Sequence, residues 1–485
     1  MNNKSLKGKV VTGIFWNAIQ LIVNRSFSFI IKLVLAKLLF PEQFGLVGMA
    51  AVFTSFVQVF NDLGFGAALV QRKDEDLREE HYHTSFWTGV IWSIALYITI
   101  ALIVAPLAAD FYKEPVMRQI IPVMSLGVLA SPINLVHRAQ LTKSLDFKRL
   151  TYISNFSSIF SGILSLILAF SGFGVWALVF NSVATFVVAM PMYFKATKWK
   201  PRLIWENEAF KEIFGFGVNT MGTQVFNNLI SKFDYLIIGK LLSASALGVY
   251  TLAFTLTDTF RGQLMSVMNT VMYPIYGKKQ DDVKSLALYY LKVVEYNAII
   301  IYPIMMLMML FASPIIHGFF GEKWVDAIIP VQILSVSVVF HLMVSSNTSL
   351  IRGMGKPGLE FKLQLFKSLV LYVPLIFIGT KLYGTVGAAT AILINKILSV
   401  FIAQYFLKKL LNISFLKLLS AIKPSGIGFV IGSIVGYILH FKLKIFWPLS
   451  AVISLSIYLL IVYFMIGKEI LYQINSFRKQ KKSVR

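Results

Sequence analysis

The sequence predicts an all-α protein that crosses a membrane about fourteen times. Of its 485 residues, 57% are hydrophobic and only 14% are charged, and the mean hydropathy is +0.71. A water-soluble globular chain does not have this composition. Apolar runs of ~20 residues, the length that spans the hydrocarbon core, recur between short basic segments. The run 94–105 is continuously apolar and lacks the alternation of a membrane β-barrel.

The apolar pattern places the helices in order along the chain. Six are expected near 10–36, 44–70, 84–106, 117–137, 150–170 and 173–194. After a polar link over 195–211, six more are expected near 213–239, 246–276, 287–312, 327–351, 365–381 and 384–407, and a last pair near 425–441 and 445–466. The first run is longer than a signal-peptide core, so we expect a retained helix. We therefore predict a six-helix bundle over 1–200, a second over 201–410, and two additional helices with a basic tail over 411–485.

The distribution of basic residues predicts the orientation. Lys and Arg number 46 against 22 acidic residues, a net charge of +24. By our count, 32 of the 46 fall on the side that both termini share and eight on the opposite side. Cytoplasmic loops hold the excess of positive charge, so both termini are predicted to face the cytoplasm, from a multi-pass position in the cytoplasmic (inner) membrane. Basic loops at anionic membrane lipids explain the charge without nucleic acid as a partner.

An internal repeat divides the chain. Lys37-Leu38-Leu39 with Gly45 recurs as Lys240-Leu241-Leu242 with Gly248, at an offset of 203 residues. The same offset relates Asn24 to Asn227, and it brings further polar positions of the first helix into register with the seventh. Two six-helix bundles related by a pseudo-two-fold axis along the membrane normal would have this pattern, with a binding cleft between them.

Two polar stripes are candidates for that cleft. In helix one the stripe is Asn17, Gln20, Asn24 and Ser28, at a spacing that places them on one helical face. In helix seven the matching stripe includes Thr223, Asn227 and Asn228. The alternative is plain hydrogen bonding between packed helices, worth ~0.6 kcal/mol per contact on average.

Cationic side chains within helices add to the candidate substrate site. They are Arg25, Lys232, Arg261 and Lys396. Arg at the centre of a spanning helix costs at least ~2.5–3.5 kcal/mol and usually faces a cavity or an ionic partner. The planar guanidinium of Arg25 matches phosphate oxygens, which favours a phosphate-bearing substrate over a structural ion pair.

Three carboxylates are candidates for proton or sodium coupling: Asp62, Asp234 and Asp258. Asp258 precedes Arg261 by three residues, so a local structural pair is the alternative there. The chain has no cysteine, and we predict neither a metal site nor a cofactor. His81 and His83 are expected in a solvated polar loop. No cluster of nucleophile, base and orienting residue is visible, so we expect no enzymatic activity.

Several segments resemble the polysaccharide-unit flippases of the multidrug/oligosaccharidyl-lipid/polysaccharide superfamily. The segment 62–72, DLGFGAALVQR, is similar to the end of helix two in the Wzx-like branch that exports colanic and teichuronic acid units. The likeness extends over nearly the whole chain, through Phe111-Tyr112, Glu114-Pro115, residues 321–324 and the stretch from Asn347 to Lys356. In related lipid II flippases an Arg of the first helix lines the cavity, and Arg25 occupies a similar place.

The resemblance implies alternating access and a substrate that is an undecaprenyl-diphosphate-linked oligosaccharide, translocated for cell-surface polysaccharide synthesis. A proton or sodium gradient would drive it, and a polysaccharide polymerase complex is an expected partner. One alternative is an ion-coupled multidrug exporter of the same superfamily, which would call for acidic cavity groups. Another is a membrane-embedded polymerase or transferase, which would need a long extramembrane loop.

Overall fold

A computed structural model describes residues 3–61 and 64–483, and these residues are helical except for short connections. Two compact units divide the chain, Met1–Gly248 and Val249–Arg485. The described residues confirm the predicted all-α class. The predicted domain limits at 200 and 410 stay a prediction.

The first unit is built from long helices joined by tight turns. In order they are α1 (Asn3–Leu38), α2 (Pro41–Asn61), α3 (Phe65–Gln71), α4 (Glu79–Thr99), α5 (Ala105–Tyr112), α6 (Met117–Lys143), α7 (Phe147–Phe170), α8 (Val175–Thr197), α9 (Asn207–Ser231) and α10 (Phe233–Leu241). A π-helical turn joins α4 to α5. Gly64 has φ 73° at the start of α3, a left-handed conformation that glycine adopts without steric cost. α7 begins where the Asp146 side chain caps the Arg149 amide.

The second unit follows from α11 (Ala244–Lys278), whose first residues belong to the first unit. The remaining helices are α12 (Val283–Leu310), α13 (Ala312–Ile315), α14 (Ile328–Leu342), α15 (Asn347–Gly353), α16 (Pro357–Phe366), α17 (Val373–Leu411), α18 (Phe415–Tyr437) and α19 (Trp447–Ser483). Asp282 and Ser414 cap the starts of α12 and α18 with their side chains. Non-helical backbone at Tyr383 and Gly384 breaks α17 into two straight pieces.

The membrane crossings can be counted from these helices. Ten described segments are long and apolar enough to span a bilayer, and one of them, Pro357–Leu411, has 55 residues. Its break at Gly384 makes it two crossings. α2, α9 and α11, with 21, 25 and 35 residues, also exceed the ~20 residues that a crossing requires. These three meet the length requirement only, so the predicted number of about fourteen crossings stays a prediction.

The internal repeat is confirmed where α2 meets the start of α11. α1 and α10 end at Leu38 and Leu241, while α2 and α11 begin at Pro41 and Ala244, at the same offset of 203. A Cβ atom on Gly45 would lie 1.6 Å from the Ala244 carbonyl oxygen, and one on Gly248 would lie 1.7 Å from the Pro41 carbonyl oxygen. Both contacts are backbone against backbone, so no side chain fits at either glycine. The repeat-related segments thus touch each other reciprocally, as a local two-fold axis requires.

The polar link between α8 and α9 is packed against the start of α4. The Trp205 indole donates to Thr88 Oγ1 (3.0 Å), and the Trp87 indole donates to the Arg202 carbonyl (2.7 Å). The Arg202 amide donates to His83 Nδ1 (3.1 Å). Hydrogen bonding between Arg78 and Glu206 raises the pKa of that arginine. The link is therefore a fixed part of the first unit.

The two histidines correct the expectation of a solvated loop. His81 and His83 are 0% and 2% exposed, because the first turn of α4 lies beneath the link and α9. His81 Nε2 lies 2.8 Å from Glu212 Oε2 of α9, while its Nδ1 accepts the Arg78 amide at 3.0 Å. The expectation failed because it treated these residues as a loop, whereas they begin a helix that other elements cover.

Candidate functional site: a polar cavity in the first unit

A cavity of about 590 Å³ lies inside the first unit, between α2, α3, α6, α7 and α8. This volume is within the ~300–1,000 Å³ typical of small-molecule sites. Its lining is rich in hydroxyl and amide side chains: Thr54, Gln58, Asn61, Ser125, Ser131, Asn134, Thr142, Ser154, Ser157 and Thr185, with Arg138 and Tyr193. Polar side chains inside a lipid-embedded bundle are costly unless polar groups or water contact them. The polar lining therefore indicates that water or a ligand fills the cavity.

One face of α6 forms the longest wall of the cavity. Gly127, Ser131, Asn134 and Arg138 recur at i, i+4, i+7 and i+11, which places them along a single helical face. From Ser125 to Thr142 the wall extends over about 25 Å at 1.5 Å per residue. The polar space thus covers a large part of the thickness of the bilayer.

Two asparagines in this wall are fixed in the same way. Asn61 Nδ2 donates to the Val128 carbonyl (3.4 Å), and Asn134 Nδ2 donates to the Phe186 carbonyl (3.2 Å). In both residues the side-chain oxygen is buried without a hydrogen-bond partner. The wall therefore holds hydrogen-bond acceptors that the protein leaves unsatisfied.

Ser125 adds a third unsatisfied group in the wall. It is 1% exposed, and its hydroxyl has no hydrogen-bond partner. A buried polar group without a partner costs about 1–3 kcal/mol. These three atoms are themselves buried, so they lie behind the surface of the cavity, and the accessible polar groups of the lining are others, such as Gln58 and Ser131.

Arg138 is the single charged side chain among the described lining residues. It lies five residues before the last residue of α6, at the end of the cavity where the α6–α7 connection lies. The neighbouring Lys143 is already engaged, since its ammonium pairs with Asp74 at 3.0 Å and donates to the Arg72 carbonyl. The described lining contains no carboxylate. The electrostatics therefore favour a ligand that is neutral over most of its length, with any negative charge near Arg138.

Aromatic rings form the part of the wall on α8 that adjoins α6. A Cβ atom on Gly127 would lie 2.7 Å from the Phe186 ring, so glycine at this position lets the ring lie flat against α6. The Tyr193 ring is stacked on His137, with centroids 6.4 Å apart and planes 7° from parallel. Each ring therefore has a fixed orientation at the edge of the cavity.

Several predicted site residues lie next to this cavity. Asn24 of α1 donates to Ser154 Oγ (2.8 Å), and Ser154 lines the cavity. Asn228 of α9 donates to the Ser55 carbonyl (3.3 Å), beside the lining residue Thr54. Gln20 and Arg25 are half-buried and Ser28 is exposed. The structure thus brings Asn24 and Asn228 to the wall from opposite sides.

The break between α9 and α10 places Lys232 and Asp234. Ser231 Oγ donates back to the Asn228 carbonyl (2.9 Å), a side-chain bond of the type that bends helices. The Lys232 ammonium lies 4.8 Å from the centroid of the Tyr235 ring. Asp234 is 3% exposed and accepts the Tyr235 amide at 3.0 Å. Asp62 lies outside the described residues, as do the side chains of Asn17, Thr223 and Asn227.

In the second unit the predicted charges pair with one another. Asp258 Oδ1 accepts Arg261 Nε at 2.7 Å, which is the local pair that their spacing allowed. Lys292 and Glu295 pair in the same way at 3.0 Å. Lys396 and Arg261 both act electrostatically on His341. Residues 3–61 and 64–483 show no group of three potential metal ligands among their described members.

The cavity itself was missed by the sequence reasoning, although a signal was present. The α6 stripe, like the α1 stripe, advances by three or four residues at a time, and α7 carries Ser154, Ser157, Ser161 and Ser165 at intervals of three and four. The prediction used only polar positions that recur in both halves of the chain, so the polar faces of α6 and α7 were left unassigned.

Comparisons with known proteins agree with this architecture. Residues 34–329 match the family described as "Polysaccharide biosynthesis protein". The lipopolysaccharide biosynthesis protein WzxC of Escherichia coli is 24% identical over 84% of this chain and 82% of its own length. The teichuronic acid biosynthesis protein TuaB of Bacillus subtilis is also 24% identical, over 74% of each chain.

Two solved structures share the fold. The lipid II flippase MurJ in an inward closed conformation has a TM-score of 0.72 at 14% identity, over 94% of this chain and all of the other. An inward-facing multidrug resistance MATE family transporter of the MOP superfamily has a TM-score of 0.62 at 17% identity, over 80% of this chain and 97% of the other. At these identities the likeness is one of fold.

Proposed function

Because the chain belongs to the polysaccharide biosynthesis protein family, we propose that it translocates a lipid-linked oligosaccharide across the cytoplasmic (inner) membrane for assembly of a cell-surface polysaccharide. The substrate class is an undecaprenyl-diphosphate-linked repeat unit. Transport proceeds by alternating access, and both termini lie in the cytoplasm. The protein acts as a transporter and catalyses no covalent step.

The single observation that carries this proposal is the polar cavity within a lipid-embedded bundle. A lipid-linked sugar has a polar head that cannot cross hydrocarbon unaided, since each unpaired polar group costs several kcal/mol there. The cavity wall offers amides and hydroxyls over about 25 Å of α6. The printed names of the relatives, which concern lipopolysaccharide and teichuronic acid biosynthesis, point to the same class of cargo.

The described lining argues against the alternative of a cationic drug exporter. A cationic ligand calls for a carboxylate, and Arg138 would repel it. A proton or sodium gradient as the driving force is part of the proposal. Asp234 is the carboxylate we assign to it, because it is 3% exposed and lies directly after the break between α9 and α10. A polysaccharide polymerase complex is the proposed recipient of the flipped unit.

Deletion of the gene in its native host tests the proposal. We expect surface polysaccharide to disappear and the complete lipid-linked repeat unit to accumulate in the membrane, on the cytoplasmic face, where an impermeant sugar-modifying reagent does not reach it in intact cells. Supplying the intact gene in trans restores both. Loss of polysaccharide without accumulation of the complete unit would place the defect before translocation and contradict the proposal, as would unchanged polysaccharide.

A further inference from the structure

We infer that the cavity of the first unit is the sugar-binding subsite: it holds the neutral carbohydrate part of the substrate, with the diphosphate at Arg138. This inference rests on the proposed function and adds to it the part of the cargo that this cavity takes. The alternative occupants of a polar cavity are water alone and a cationic ligand.

The hydrogen-bonding character of the wall selects the ligand. The lining is rich in hydroxyl and amide side chains, and Gln58, Ser131 and Thr142 among them are at least partly exposed. These groups both donate and accept hydrogen bonds. Sugar hydroxyls are donors as well as acceptors, so they match such a wall.

The charge distribution orients the ligand. The described lining has one cation, Arg138, and no carboxylate. Arg138 lies toward the end of α6, near the α6–α7 connection, whereas Ser125 lies thirteen residues earlier, or about 20 Å along the helix. A molecule with an anionic group at one end and hydroxyls along its length matches this arrangement. The guanidinium takes the phosphate oxygens, and the hydroxyls extend toward Ser125.

The rings of Phe186 and Tyr193 also suit a sugar ligand. Both line the cavity, and both are held by their neighbours, Phe186 by close contact with Gly127 and Tyr193 by stacking on His137. Fixed aromatic rings supply apolar contact at low conformational cost. The C–H face of a sugar ring uses such contact, whereas water does not.

The absence of native cysteine makes a direct occupancy test possible. Ser131→Cys in the full-length protein places a single thiol at a partly exposed position of the wall, and its rate of reaction with N-ethylmaleimide is measured in membranes. Membranes come from the native host and from a host that lacks its first sugar transferase and so makes no lipid-linked sugar. Thr185→Cys, elsewhere in the lining, serves if Ser131→Cys is poorly produced.

We expect slower reaction in membranes that contain the lipid-linked sugar. The factor is 1 + [L]/Kd, so substrate at about four times its Kd slows the reaction about fivefold. Ser165→Cys is the matched control. Ser165 is 0% exposed, donates to the Ala177 carbonyl at 2.7 Å and does not line the cavity, so its rate should be equal in both membranes.

Added probes separate the possible occupants. Farnesyl diphosphate linked to a hexose should protect Ser131→Cys in the sugar-free membranes, while farnesyl diphosphate alone and tetraphenylphosphonium should not. Equal rates in membranes of the two hosts, or protection by the cation, would overturn the subsite. If gene deletion still abolishes polysaccharide in that case, the subsite alone fails. If deletion has no effect, the proposed function itself fails.

Discussion

The cavity wall of the first unit and helix α11 of the second hold their polar groups differently. In the wall, the lining residues Gln58 and Ser131 are at least partly exposed. In α11, Asp258 and Arg261 satisfy each other on adjacent turns. Buried atoms without partners occur in both units, as at Asn61 and Asn297, so lack of a partner does not mark a ligand site. Accessibility from the cavity separates ligand-binding from structural residues better than polarity alone.

Replacing accessible polar groups of the cavity should have the largest functional effect. Gln58→Leu with Ser131→Ala removes two lining groups that we assign to the ligand, and each such hydrogen bond contributes about 0.5–1.5 kcal/mol, so transport should fall about tenfold. Thermal unfolding should change little, because both side chains are at least partly exposed. Surface polysaccharide in a deletion host, normalised to protein in the membrane, measures the effect.

Asn297→Leu provides the control for that pair of substitutions. Asn297 is 0% exposed and has an unpartnered amide, but it does not line the cavity. Its replacement should leave polysaccharide at the wild-type level. A loss equal to that of the cavity variant would mean that polar groups matter wherever they lie in the bundle, and it would contradict the distinction between cavity residues and other polar residues.

The Asp258–Arg261 pair should affect stability more than transport. Arg261→Ala leaves a partly buried carboxylate without its partner, at a cost of about 1–3 kcal/mol, and lowers the unfolding temperature of the purified protein. Adding Asp258→Ala should restore part of the loss. If the single variant abolishes transport at normal stability, then Arg261 contacts the substrate and belongs with the cavity residues.

The smallest expected effect is a difference in stability between alanine variants of two serines in the first unit. Ser165→Ala removes a buried hydrogen bond to the Ala177 carbonyl and should lower the free energy of unfolding by about 1 kcal/mol. Ser125→Ala removes a hydroxyl with no partner and should not destabilise the protein. Thermal unfolding of both variants in detergent measures the difference. Destabilisation by Ser125→Ala would show that this hydroxyl is satisfied within the protein.

Much of the fold could be predicted from the sequence, because spanning helices are set by local hydropathy and length. The repeat could also be predicted, since Gly45 and Gly248 lie where two backbone segments are in contact and no side chain fits. The cavity could not be predicted from the sequence in this way. It forms where α2, α6, α7 and α8 converge, and its polar residues show a stripe on each helix without indicating which stripes face each other.

The two buried histidines show the same limit of prediction from sequence. His81 and His83 stand in a run of charged residues, a pattern typical of solvated loops. The link between α8 and α9 covers them and supplies their partners, Glu212 and the Arg202 amide. Burial here results from a contact more than 110 positions away in sequence, which local composition does not encode.

Reconstitution into liposomes tests the central claim most directly. Lipid-linked oligosaccharide extracted from the deletion host is incorporated with the purified protein, and its oxidation by external periodate, which does not cross the membrane, is followed with and without proton and sodium gradients. We predict that the inner-leaflet fraction becomes accessible with the wild-type protein and much more slowly with Gln58→Leu/Ser131→Ala. If that fraction stays protected under every gradient, as in protein-free vesicles, the protein does not translocate this class of lipid.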